Sequence, residues 1–265
     1  MSCQTRGRTV AIAHRGAHNA WIPENSLQAV REALGLGADW VEFDVWNDAQ
    51  GKLVVTHDLY PNGKEPPRPY PPVEPFLELV ASSDMGLNFD WKGFGAERHV
   101  ARLLRSFDLT CRTVVSSGSP EVLLRLKHHD PAITTGLSIS ASPSRLRRLL
   151  AEVPGLRQVP LWYLLAGTSP LRSWLVDQLD LLLEVSQVDA IMLHYPLASA
   201  TVVQAIRDRH KGVYLWTARD VETFHSLLPL QPDGIAMDDM WTLLGAQATR
   251  EISPNPLGLA IEPHP

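Results

Sequence analysis

Short apolar runs alternate with longer stretches whose apolar positions recur every three or four residues, and this alternation continues along almost the whole chain. TVAIAH is strand-like and ends at His14. PENSLQAVREALGLG then spaces Leu27, Val30 and Leu34 as on one helix face and stops at Gly35 or Gly37. In ADWVEFDVW, Trp40, Glu42, Asp44 and Trp46 alternate with Val41, Phe43 and Val45. This predicts a strand whose two carboxylates share one side. After a turn at Asp48-Ala49-Gln50-Gly51, KLVVTHD reads as a hairpin return ending at His57 and Asp58.

The alternation resumes beyond a proline-rich stretch. VEPFLELVASS is helical, MGLNFDWKG is a strand with Asp90 and Lys92 on one face, and AERHVARLLRSF is helical. CRTVVSSG is a strand ending in Ser116 and Ser117, SPEVLLRLKHH a helix, AITTGLSIS a strand and SPSRLRRLLAEV a helix. A long helix spans 171–186, and the strands DAIMLHYP, GVYLWTARD and DGIAMDD follow, separated by helical SATVVQAIRDRH and VETFHSLL. With QVPLWYLL there are nine candidates for parallel strands besides the hairpin return. Eight close a barrel, so QVPLWYLL is set aside as an excursion before the long helix. The predicted fold class is α/β, a (β/α)8 TIM barrel forming one domain over residues 1–265, with its core at 9–245. Residues 59–72 form a proline-rich loop, and 250–265 an irregular tail.

Composition narrows the partners more than the fold. Of 265 residues 45% are hydrophobic, and the net charge is -5 with no Lys/Arg stripe, which argues against nucleic acid. Arg145, Arg147 and Arg148 read as one solvated helix face. With only two cysteines, Cys3 and Cys111, there is no disulfide framework or cysteine-based zinc site, which suits a cytoplasmic protein. The N-terminus has no signal-peptide core, and no window approaches the length of a membrane span. Oligomeric state is not legible.

On this map His14, Glu42, Asp44, His57, Asp90, Lys92, Ser117, His194 and Trp216 all fall at or near the C-terminal ends of barrel strands, where such barrels place their chemistry. Three carboxylates meeting at one point repel unless a cation sits among them. Glu42, Asp44 and Asp90 are therefore candidate ligands of a hard divalent ion, with ion pairing to Arg15 and Lys92 as the competing explanation. His14 and His57 can supply a general base and a general acid, because imidazole titrates near the working pH. Trp216 reads as pocket wall and His194 as a hydrogen-bonded rim residue. Glu24 and Asn25 stand at a helix start, where capping competes with orienting a catalytic neighbour, and Ser117 either touches substrate or caps the next helix.

HRG, PENS, VEFDV and VVTHD, in this order and spacing, resemble the glycerophosphodiester phosphodiesterase family, whose pattern is HRG, PEN(T/S), E-x-D-(V/I) and an HD pair. Later pieces agree: PVEPFLEL resembles the family's P-T-L-E-E helix, LNFDWK its L-N-I-E-I-K strand, VVSSG its serine-ended strand, YLWTARD its V-W-T-V-N strand, and PDGIAMDD its closing D-G-I-I-T-D strand. The likeness runs from about residue 10 to about residue 244.

The resemblance implies one divalent cation, Mg²⁺ or Ca²⁺, on Glu42, Asp44 and Asp90, with His14 and His57 as the acid/base pair. It also implies that Arg15 and Lys92 hold the phosphate and that Trp216 lines the alcohol side. The implied reaction is hydrolysis of a glycerophosphodiester to sn-glycerol 3-phosphate and an alcohol. Lysophospholipase D-like or ring-closing cleavage of a lysolipid is an alternative, and a non-catalytic phosphodiester-binding barrel is another. Two departures stand out. Asp90 replaces the family's usual Glu, which shortens its reach by a methylene, roughly 1.5 Å. The connection between the HD pair and the LNFDWK strand shrinks to LYPNGKEPPRPY plus one helix, which predicts a more open pocket.

Overall fold

The computed structural model describes residues 8–63, 69–153, 155–156 and 168–251. Eight parallel strands close on themselves: β1 (Val10–Ala13), β2 (Trp40–Asn47), β4 (Gly86–Trp91), β5 (Thr113–Ser117), β6 (Thr134–Ile139), β7 (Ala190–His194), β8 (Gly212–Ala218) and β9 (Gly234–Met237). β1 pairs with both β2 and β9, which completes the ring. The hairpin return β3 (Leu53–Val55) lies antiparallel on β2, outside the ring. The eight-strand closure matches the count reached by setting QVPLWYLL aside, and that segment itself lies outside the described residues.

Helices follow the strands as α1 (Leu27–Gly35), α2 (Glu74–Ala81), α3 (Glu97–Ser106), α4 (Pro120–His129), α5 (Pro143–Glu152), α6 (Thr168–Ser186), α7 (Ala200–Arg207), α8 (Val221–Leu227) and α9 (Met240–Glu251). Several begin on a side-chain cap: Ser26, Ser119, Ser199 and Asp220 accept from the amides of Ala29, Val122, Val202 and Thr223. Each such cap contributes about 0.5–2 kcal/mol. Two boundaries differ from expectation. Cys111 and Arg112 belong to a 3-10 turn, so β5 starts only at Thr113. α9 runs to Glu251, into the segment expected to be irregular, while 252–265 lie outside the described residues.

Alternation along the strands sorts side chains into two cores. Outward residues such as Val41, Phe43, Val45 and Phe89 pack under the helices. Phe43 meets Phe76 at 5.4 Å and Phe89 at 6.1 Å between ring centroids. Inside the ring, Ile12, Trp40, Met192, Tyr214 and Ala236 form a smaller plug, with Trp40 and Tyr214 at 6.0 Å. On β2 the inward sequence is Trp40, Glu42, Asp44, so the apolar plug gives way to carboxylates toward the C-terminal mouth.

Gly86 pairs with Trp40 across β2 and β4, and a Cβ there would run into the indole. Gly86→Ala is expected to destabilise the barrel by about 1–3 kcal/mol. Thermal unfolding should show a Tm lower by roughly 2–4 °C for each kcal/mol.

Candidate active site

Of the residues singled out from the sequence, His14, Arg15, Glu42, Asp44, His57, Asp90, Lys92, Ser117 and Trp216 line one cavity of about 590 Å³ at the barrel mouth, and Glu24, Asn25 and His194 do not. The strand registers explain the convergence. Asp44 lies opposite Asp90 on β4, Asp90 lies opposite Ser116 on β5, and His14 follows Ala13, the partner of Val41. Oxygens of Glu42, Asp44 and Asp90 lie within 4.8 Å of one another.

Every carboxylate of this trio is held by further groups. The Arg15 amide donates to Glu42 Oε2 at 2.8 Å. Arg15 itself has φ +56, a left-handed conformation that is uncommon outside glycine. Asn25, buried and also left-handed, donates to Asp44 Oδ2 at 2.9 Å and accepts from the Asp44 amide at 3.0 Å. The Ser116 hydroxyl lies 3.0 Å from Asp90 Oδ1. Lys92 Nζ sits 3.1 Å from Asp44 Oδ1 and pairs closely with Asp90, while Arg15 Nε is 3.2 Å from Asp44 Oδ2. Gly16, next in the chain, passes so close to Ala29 that a Cβ would stand 2.6 Å from its carbonyl carbon. That contact accounts for the glycine of HRG.

The electrostatics are unbalanced in an informative way. Burial, then the charges of Asp44 and Asp90, push Glu42 well above the ordinary carboxylate range. Burial also opposes ionisation of Asp44, but Lys92 and Arg15 outweigh it and hold Asp44 below its ordinary value. Lys92 is desolvated, yet Asp90 and Asp44 keep its ammonium charged and its pKa raised. A buried carboxylate that resists ionisation, beside two more carboxylates, suits a hard divalent cation. A span of 4.8 Å is within reach of one ion with ligands at about 2.3–2.6 Å. Asp90 thus reaches the cluster despite its shorter side chain.

The two histidines are held differently. His14 Nδ1 is 2.6 Å from Asp238 Oδ1, and its Nε2 faces Glu42 at 3.9 Å. Burial opposes ionisation of Asp238, but bonds to His14 and His18 hold it well below the usual range. His18 Nε2 stands 3.7 Å from the same oxygen. His57 Nδ1 lies 3.3 Å from Asp58 Oδ2, and the Trp46 indole donates to the His57 carbonyl at 3.2 Å. Asp238 had no assigned role in the sequence; its only signal was the Asp pair closing PDGIAMDD. If it orients His14, Asp238→Asn lowers kcat by about 10- to 100-fold with little change in KM. Steady-state kinetics checks this.

Other residues resolve open readings. Glu24 pairs with Arg15 at 2.8 Å, Asn25 holds Asp44, and the cap of α1 is Ser26, so PENS combines two positioning residues with one cap. Ser119, rather than Ser117, caps α4, while Ser117 lines the cavity. His194 accepts from the Ala141 amide at 3.4 Å and stacks on Trp216 at 4.9 Å. The Trp216 indole donates to the Met192 carbonyl at 2.8 Å, which fixes it as cavity wall. The arginines of α5 are exposed, as a solvated face requires, but Arg145 and Arg148 also line the cavity, which the charge run alone did not reveal.

Residues 14–63 match the glycerophosphoryl diester phosphodiesterase family. The chain is 26% identical to a glycerophosphodiester phosphodiesterase of Caldanaerobacter subterraneus, over 89% of this chain and 97% of that protein. It is 24% identical to a probable glycerophosphodiester phosphodiesterase 2 of Mycobacterium tuberculosis, over 88% of each. A solved Oleispira antarctica phosphodiesterase, in complex with the product sn-glycerol-3-phosphate, superposes with a TM-score of 0.65 at 20% identity, covering 91% of this chain and 97% of that one. Among the described residues no helix is long and apolar enough to cross a membrane. The ordered motifs, the closed barrel and these relatives agree: the chain is similar to the glycerophosphoryl diester phosphodiesterases in sequence over residues 14–63 and in fold over most of its length.

Proposed function

We propose that this chain hydrolyses a glycerophosphodiester to sn-glycerol 3-phosphate and an alcohol. His14 and His57 are the proton-transfer pair, and Glu42, Asp44 and Asp90 hold one divalent cation, Mg²⁺ or Ca²⁺. The observation that carries this reading is the single cavity lined by both histidines, the carboxylate trio and the Arg15 and Lys92 cations. The bound product of the Oleispira antarctica relative supports the glycerol half of the substrate. The low cysteine count supports a cytoplasmic setting.

When bound, the cation supplies positive charge that stabilises the phosphoryl oxygens. The chain's own residues do the rest. Lys92, kept charged by its carboxylate neighbours, and Arg15, held by Glu24, offer an ammonium and a guanidinium to the phosphate as charge builds on it. The Asp238 bond to His14 Nδ1 leaves Nε2, on the Glu42 side, as the nitrogen that moves a proton. His57, held at its Nδ1 by Asp58, is the second proton carrier: one histidine takes a proton from the attacking group, water or the vicinal glycerol hydroxyl, and the other protonates the leaving alcohol; where the glycerol hydroxyl attacks, water then opens the cyclic phosphate. Trp216 walls the alcohol side. Phe94, 55% exposed and lining the same mouth, favours a lysolipid as a second class of substrate.

Phosphorus NMR of reactions with glycerophosphocholine and lysophosphatidylcholine tests the proposal. Glycerol 3-phosphate from the first substrate is the expected result. A cyclic phosphate that accumulates points to ring closure by the glycerol hydroxyl, and no turnover of either substrate with Mg²⁺ or Ca²⁺ overturns the proposal.

A further inference from the structure

Beyond the carboxylate trio, the cavity lining carries two further basic side chains. Arg145 and Arg148 project from α5 into the lining, and the Arg145 guanidinium lies 5.7 Å over the Trp216 ring. The same ring meets His194, its register partner on β7, at 4.9 Å between centroids. The indole is therefore a fixed plate with a cation on it, anchored by its bond to the Met192 carbonyl. Among the described residues neither Arg145 nor Arg148 is ion-paired, whereas Arg15 and Lys92 both contact carboxylates. Glu152 also lines this wall, without an ion pair to either arginine. Burial, then the charges of Arg145 and Arg219, lower the pKa of His194, which is the response of a histidine in a positive field. The scissile phosphate already has Arg15 and Lys92. Two further cations on the alcohol side serve a different anion.

We infer that the preferred substrate carries a second anionic group on its alcohol half, a phosphate or carboxylate held by Arg145 and Arg148 beside Trp216. This rests on the phosphodiesterase reading above and adds the class of alcohol. Guanidinium groups suit such an anion because they present paired donors to its oxygens. The plane of Trp216 keeps Arg145 in place through the cation–π contact. Both arginines are exposed, so they bind the anion at the cavity mouth, and the preference weakens as salt rises.

A matched pair of diesters that differ by one phosphate tests this: glycerophosphoinositol and glycerophosphoinositol 4-phosphate. For the wild-type protein at low salt, kcat/KM is expected to favour the phosphorylated diester by about tenfold, the scale of one charge-assisted contact. The ratio falls to near one in R145Q/R148Q. It persists in R147Q, whose side chain is on the same helix but not in the cavity lining. Equal rates in the wild-type protein, or a preference that survives R145Q/R148Q, overturn the inference. If the wild-type protein turns over neither diester, hydrolysis is at fault, and calorimetric binding of the same pair decides the anion site. Tighter binding of the phosphorylated diester that is lost in R145Q/R148Q sustains it, and equal or undetectable binding overturns it.

Discussion

Alanine in place of His14 is expected to lower kcat by about 10²- to 10⁴-fold, the usual contribution of a positioned proton carrier. His14 sits at the end of β1, with Nδ1 bonded to Asp238 at 2.6 Å and Nε2 turned toward Glu42. Removing the ring leaves the carboxylate trio and its arginine and lysine partners in place, since Arg15, Lys92, Asn25 and Ser116 make those contacts. Substrate binding should therefore change little while turnover collapses, so kcat and kcat/KM fall together. Steady-state kinetics with a glycerophosphodiester separates this outcome from the other possibility. An unchanged kcat with a raised KM would make His14 a binding residue.

The second large effect concerns Glu42. Its folded-state pKa is raised by burial and by Asp44 and Asp90, so the folded protein retains a proton that the unfolded chain has lost. The resulting stabilisation is fully present below the ordinary glutamate value and is lost as pH rises through the raised one. In metal-free buffer, wild-type stability is expected to fall across that window. A divalent cation at about 100 times its Kd restores ~2.7 kcal/mol, which corresponds to a Tm rise of roughly 5–10 °C for a protein of this size. The rise should be larger at higher pH, because binding displaces the Glu42 proton. Glu42→Gln removes both the pH slope and the cation-dependent rise. Thermal unfolding of both proteins with EDTA, Mg²⁺ and Ca²⁺ at several pH values checks this. An undiminished cation response in the variant would take Glu42 out of the ligand set.

Much of this site was readable because strand geometry is simple. The two-residue period of β2 puts Glu42 and Asp44 on the inner face, and the same period on β4 aligns Asp90 with Lys92. His14 and His57 were placed by their positions just past apolar runs. What escaped has physical reasons. Asp238 reaches His14 across 224 residues of sequence, a contact made only when β9 closes on β1. Asn25 looked like part of a helix cap; its left-handed backbone instead turns the side chain onto Asp44. Arg145 and Arg148 are exposed, and an exposed basic helix face looks the same in sequence whether or not it borders a cavity. Counting strands succeeded because eight is the number that closes this ring, a constraint from topology rather than from local pattern.

The most direct test of metal-dependent, two-histidine hydrolysis is the rate of sn-glycerol 3-phosphate release from a glycerophosphodiester. Three reactions are compared: wild-type protein with Mg²⁺ or Ca²⁺, the same protein with EDTA, and His57→Ala with the cation. Release should be fast in the first and lower by about 10²-fold or more in the other two. Equal release in all three would contradict the metal and histidine assignments together.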